Sequence, residues 1–190
     1  MRKRVFLAIN LPAEIKQELL KIQEQFPILP CRFVKDESLH LTLIFLGDRT
    51  EEELEKITAL GKEVGERTPC FDISFGRVCY GPGKKLPPRL IWAEGEKSEG
   101  LITLKKNLDK LLAEKISFQP ERQDFLPHIT LARIKAWDWK RIEPEERPKV
   151  NLDVSFTLPV SSFELMESEL KKSGSEYQIL KSFPLRLTIL

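Results

Sequence analysis

The chain has two histidines, and each opens the same short pattern: His40-Leu41-Thr42-Leu43 and His128-Ile129-Thr130-Leu131. No other feature limits the possible folds so tightly. Along a β-strand, successive side chains point to opposite faces. Each histidine therefore shares a face with the threonine two positions on, while Leu41, Leu43, Ile129 and Leu131 point the other way, into a core. One such tetrapeptide is an ordinary half-buried strand, since threonine is at home in strands. Two copies, headed by the only histidines in the chain, ask for a common cause.

The flanking sequence supplies one. Residues 4–10 read as a short buried strand. Pro12 follows where a helix can begin, because its missing N–H costs nothing in a first turn. Ile15, Leu19, Ile22 and Phe26 then mark one helical face, ahead of a strand over 40–47. The same order returns later: a strand over 90–93, a helix marked by Leu101, Leu104, Leu108 and Leu111, and a strand over 128–134. Strand, helix and histidine-bearing strand thus occur twice, over residues 5–40 and 90–128. The histidines stand 88 positions apart in a chain of 190. A duplicated unit produces that spacing, with two similar lobes each presenting one histidine.

Between the copies, Thr50 and Glu53 form a capping-box pattern before a helix carried by Leu54, Ile57, Leu60 and Val64. A strand is expected over 71–80, and 81–88 is a loop by composition. A charged loop over 144–148 leads to strands over 150–158, 163–167, 177–180 and 185–190, with Gly174 in the turn between the middle two.

Composition narrows the function. Apolar residues make up 41% of the chain, enough for a real core, and the formal net charge is only +2. A balance this close excludes a general polyanion binder; any positive field must be local to a cleft. Basic residues 2–4 and the apolar run over 5–9 imitate a secretory signal, but the run stops at Asn10, short of the roughly 7–15 apolar residues such a segment needs. No stretch approaches the ~20 apolar residues of a membrane span. Cys31, Cys70 and Cys79 are odd in number and widely spaced, so they are expected as reduced thiols in a cytoplasmic protein, neither a disulfide framework nor a metal cage.

Two histidines with two hydroxyls suit proton transfer at phosphorus. Histidine gains or loses a proton near neutral pH, so one can accept while the other donates. Displacement at phosphorus sets the entering and leaving oxygens on opposite sides, which two histidines from two related lobes can serve. The hydroxyls of Thr42 and Thr130 can donate to the non-bridging oxygens, where charge builds up.

These residues resemble the two-histidine phosphoesterase superfamily, and within it the RNA 2′,3′-cyclic phosphodiesterases, also called 2′-5′ RNA ligases. The likeness runs nearly end to end. It takes in the opening at residues 6–12, both signatures at 40–47 and 125–133, and a C-terminal hairpin from Ser168 through Gly174 to Tyr177. The resemblance implies a single domain over residues 1–190. Its fold is α+β and two-lobed, with duplicated strand-helix-strand units and antiparallel sheets around a central cleft. It implies hydrolysis of RNA ends bearing a 2′,3′-cyclic phosphate, tRNA fragments among them, to a 2′-phosphate, with no metal and no cofactor. It assigns His40 as proton donor to the leaving 3′ oxygen, His128 as the base that activates water, and Arg133 as a phosphate contact. Strict alternation puts Arg133 on the wrong face relative to His128, so a strand end or bulge must redirect it.

Two other readings remain: ATP-independent 2′-5′ RNA ligation by the same site run in reverse, and a non-catalytic RNA- or nucleotide-binding module, for which a paired acid and base has no use. The protein is expected to be a monomer without membrane attachment. Phe45 and Trp92 are candidates to stack a base, but packing is the expected role of both. The glycine- and lysine-containing loop over 81–85 lacks the ending of a phosphate loop and is read as a turn, at most a basic rim for RNA. Trp137 and Trp139 follow the second motif with no assigned contact.

Overall fold

The computed structural model describes residues 2–26, 29–83, 86–121, 124–171 and 174–187. Its elements run β1 (Arg2–Asn10), α1 (Ala13–Gln23), β2 (Cys31–Phe33), β3 (His40–Thr50), α2 (Glu51–Arg67), β4 (Phe71–Gly81), β5 (Leu90–Gly95), α3 (Glu99–Lys115), β6 (His128–Ile134), α4 (Ala136–Lys140), β7 (Asn151–Val160), β8 (Ser162–Lys171) and β9 (Gly174–Pro184). The fold is α+β, as expected.

The strands pair antiparallel in the order β7-β4-β5-β6-β3-β1-β8-β9, with β2 added to β6. That order is symmetric about its middle. β8-β1-β3 on one side answers β4-β5-β6 on the other, and α1 and α3 are the matching crossovers. β3 and β6 meet at one residue pair, Leu41 with Ile129, and β2 extends the junction along β6. Instead of two separate sheets, the lobes are two half-sheets joined by this narrow seam.

Helices α1, α2 and α3 lie on one face. Leu19 and Ile22 of α1, Leu54, Ile57, Leu60 and Val64 of α2, and Leu101, Leu104, Leu108 and Leu112 of α3 share a single core with Val5, Leu7, Ile9, Leu41, Leu43, Ile129 and Leu131. In α3 the stripe drifts by one residue at its end, so Leu112 is buried while Leu111 only packs at the margin. The capping box at the start of α2 is formed, with the Thr50 hydroxyl accepting from the Glu53 N–H and the Glu53 carboxylate accepting from the Thr50 N–H. Phe6, Ala8 and Met166 face the other way and make a small second cluster with Tyr177.

Several local expectations are corrected. Pro12 is the residue just before α1 and not its first helical residue. Gly174 opens β9, and the C-terminal hairpin is far longer than expected because β8 and β9 pair from Ser162–Pro184 to Lys171–Gly174. Leu185 and Leu187 lie in no strand, and Arg186 makes only an isolated parallel bridge to Pro69; residues 188–190 lie outside the described residues. Lys84 and Lys85 of the 81–85 loop also lie outside them. Neither β2 nor α4 was expected: three residues and five residues are too short for periodicity to register. The three cysteines are free and half-buried. Among the described residues no helix is long and apolar enough to cross a membrane.

Candidate active site

His40 and His128 open the two strands that meet at the seam. Because Leu41 and Ile129 face each other and point into the core, the residues on either side point to the opposite face. His40 and Thr42 on β3 thus stand beside His128 and Thr130 on β6, four side chains in one patch. Sequence alternation predicted each pair; the seam brings the pairs together.

Both rings are held in the same way. His40 Nδ1 lies 2.8 Å from the Ser38 carbonyl and His128 Nδ1 lies 2.8 Å from the Leu126 carbonyl, each two residues upstream. A carbonyl can only accept, so Nδ1 carries the proton in both neutral rings, and each Nε2 is left as the lone-pair nitrogen facing the site. The His40 Nε2 already has a partner: the Thr42 hydroxyl, at 3.1 Å, donates to it.

Burial separates the two. The His40 ring packs 5.0 Å from Phe6 and 5.0 Å from the edge of Tyr177. Loss of solvent pushes its pKa down to about 4, and the positive charges of Arg133 and Lys16 and the proximity of a second titrating ring, His128, push the same way, against the support of the Ser38 carbonyl. His128, 4.3 Å from Trp92, is also lowered by burial, opposed by the Leu126 carbonyl. Both rings are therefore neutral at rest.

The bulge needed for Arg133 is present. Trp92 pairs with Thr130 and Ile91 with Ala132, so Leu131 is the extra residue on β6. Leu131 and Ala132 are then both buried, at 1% and 0% exposure, and Arg133 emerges on the histidine face. An unforeseen side chain ties this bulge down. Gln23, buried at the end of α1, donates through Nε2 to the carbonyls of Leu131 and Val34, each at 2.9 Å.

An equivalent bulge sits on β3. Leu7 pairs with Ile44 and Ala8 with Thr42, which leaves Leu43 unpaired. Phe45 therefore turns out on the histidine side, 6.1 Å from Phe6 and 64% exposed. Packing was the expected role of Phe45, and that expectation fails; for Trp92, at 4% exposure, it holds. Trp139 is buried against Tyr80 and Trp137 is exposed. Among the described residues, no group of three or more metal-ligating side chains is assembled. Sequence reasoning also missed Phe6 and Tyr177 as walls of the site, because no local pattern says which aromatic will meet a histidine across two strands.

A duplicated α+β chain that presents two histidines and two threonines on one sheet face is a two-histidine phosphoesterase. The chain belongs to the LigT like Phosphoesterase family, whose model matches twice, over residues 9–92 and 94–177, with one histidine motif in each match. It is 35% identical to the RNA 2′,3′-cyclic phosphodiesterase of Thermus thermophilus, over 96% of this chain and 90% of that protein. Its identity to the protein of that name from Escherichia coli is 32%, over 96% and 97%. Among solved structures it is similar to a protein of Thermus thermophilus (TM-score 0.83, 33% identity, covering 96% of this chain and 98% of that one). It is also similar to Escherichia coli LigT complexed with 3′-AMP (TM-score 0.72, 28% identity, covering 97% and 99%).

Proposed function

We propose that this protein hydrolyses 2′,3′-cyclic phosphates at RNA ends to 2′-phosphates, and that residues 1–190 act as one domain, since neither half carries both histidines. The observation that carries this reading is the matched pair of histidines, each with Nδ1 tied to a carbonyl two residues upstream and Nε2 left as the lone-pair nitrogen. Names shared by relatives that match end to end support it.

In the reaction, His128 Nε2 takes a proton from water as the water oxygen bonds to phosphorus. The bond from phosphorus to the 3′ oxygen breaks, and His40 Nε2 gives that oxygen its proton. Because His40 is neutral at rest, it must take up its proton with the substrate; the negative charge of the cyclic phosphate favours that uptake. Once Nε2 is protonated it no longer accepts from Thr42, whose hydroxyl is free to turn to a non-bridging oxygen. Thr130 does the same from the other half. Arg133, beyond its bulge, holds the phosphate charge. No step calls for a metal or nucleotide. tRNA fragments with cyclic ends are candidate substrates, and a monomer suffices.

The test is turnover of oligonucleotides ending in 2′,3′-cyclic phosphate in excess EDTA, with products assigned by phosphorus NMR. A 2′-phosphate is expected. A 3′-phosphate, or activity that chelation abolishes and a divalent ion restores, overturns the mechanism.

A further inference from the structure

Arg32, on β2, stands directly opposite Arg133 on β6. Directly opposite residues hold their Cβ atoms about 4.5–5.5 Å apart on one face of a sheet. Here that face is the histidines'. Cys31 and Phe33, the neighbours of Arg32, pack against the core, and so do Ala132 and Ile134, the neighbours of Arg133. Both arginines are exposed, and among the described residues neither has a carboxylate partner.

Two arginines elsewhere in the sheet are treated differently. Arg49, which also faces a like charge in Lys3, pairs with Glu53 at 2.9 Å. Arg77 on β4 stands opposite Glu94 on β5, and its Nε donates to that carboxylate at 3.1 Å. Like charges set opposite one another cost stability. The fold nevertheless keeps Arg32 and Arg133 together, and it fixes the bulge behind Arg133 with the Gln23 amide and the Val34 N–H, which donates to the Leu131 carbonyl at 2.8 Å. Two guanidinium forks with no protein anion between them match the oxygens of a phosphodiester. β2 leads through a short 3-10 turn (Asp36–Ser38) to His40, so the pair lies at the His40 end of the site.

We propose that Arg32 and Arg133 form a second anion subsite, which takes the phosphodiester on the 5′ side of the reacting nucleotide. The site is then built for the end of a polynucleotide and not for a mononucleotide. Arg133 stands between the reacting phosphate and Arg32 and serves both. This rests on the cyclic phosphodiesterase reading and specifies its substrate class.

The test compares KM for a nucleoside 2′,3′-cyclic phosphate with KM for the same nucleotide carrying a 5′-methyl phosphodiester, in wild type, Arg32→Ala and Arg32→Lys. Wild type is expected to favour the 5′-phosphorylated substrate by roughly tenfold, the scale of one charge-assisted contact. Arg32→Ala should bring the ratio close to one, and Arg32→Lys should keep part of it. The slope of log KM against log salt for an oligonucleotide should fall by about 0.7 in Arg32→Ala, one single-strand phosphate contact. A wild-type ratio near one, or the same ratio in wild type and Arg32→Ala, overturns the subsite. If wild type turns over neither substrate, the reaction has been misread. The subsite then stands or falls on whether a nucleoside 3′,5′-bisphosphate raises the Tm of wild type more than that of Arg32→Ala.

Discussion

The two halves share a backbone and differ in what they surround it with. β3 and β6 begin with the same tetrapeptide, hold their histidines by the same tie to a carbonyl two residues upstream, and bulge at the same leucine of the motif. Past the bulge they diverge. One half turns out an exposed Phe45, the other an arginine. Around the rings they diverge again: Phe6, Tyr177 and the Thr42 hydroxyl enclose His40, while His128 lies against Trp92. Duplication places two histidines in register. Their unequal surroundings let them take unequal parts.

The largest effect that can break this comparison comes from the histidines themselves. His40→Ala and His128→Ala should each lose roughly 10²–10⁴-fold in rate on a natural cyclic phosphate. A nitrophenyl phosphodiester, whose leaving group departs without a proton, should restore much of the rate to His40→Ala and none to His128→Ala. Rescue of His128→Ala instead reverses the donor and acceptor assignments.

The threonines should matter less. Loss of a donor to developing charge costs on the order of 2–4 kcal/mol in strong cases, so Thr42→Val and Thr130→Val should slow turnover by less than loss of a histidine. Only Thr42→Val should also change the titration of His40, because among the described residues Thr42 is the one threonine that donates to a ring nitrogen at rest. Equal NMR titration shifts in both variants would show that the halves are more alike than the hydrogen bonds suggest.

Acidification distinguishes the rings through stability. His40 is held at about 4, below its ordinary 6.5, so between those values the unfolded chain binds the proton that the folded chain refuses. Stability is full above about pH 6.5 and falls as pH drops towards 4, by on the order of 3 kcal/mol. His40→Ala should flatten that part of the curve of Tm against pH more than His128→Ala does. Activity should follow the same ordering: with an anionic substrate raising both pKa values, the optimum of kcat should lie at higher pH than that of kcat/KM.

Phe45→Ala is the mildest test. An exposed ring in the histidine half offers a flat surface to a base, worth about 1–3 kcal/mol where stacking occurs. KM should rise several-fold for a nucleoside cyclic phosphate and stay level for a cyclic phosphate with no base. An equal rise for both returns Phe45 to a purely steric role.

Much of this was legible before any coordinates. The period-two alternation put each histidine with its threonine, the capping box marked the start of α2, and the core stripes of α2 and α3 were read to within a residue. The need for a bulge before Arg133 was also legible, because a strand without one could not serve the motif. What stayed hidden has a shared physical form. Phe45 was expected to pack, and only a one-residue slip in pairing turned it outward. The long β8–β9 hairpin extends through polar residues whose strand character comes from pairing with each other and carries no local signal.

By itself, then, the sequence determined the two histidines, their tetrapeptide frames and the duplicated order of elements, because these depend on the identity and short spacing of residues along one chain. The tertiary structure alone decided that the frames meet at Leu41 and Ile129, that both rings keep Nε2 as the lone-pair nitrogen, that the edge of Tyr177 packs on His40, and that Arg32 stands against Arg133. Each of those is a contact between segments far apart in the chain or a choice of hydrogen-bond partner, and strand register, which sets both, is fixed by the packing of the whole sheet.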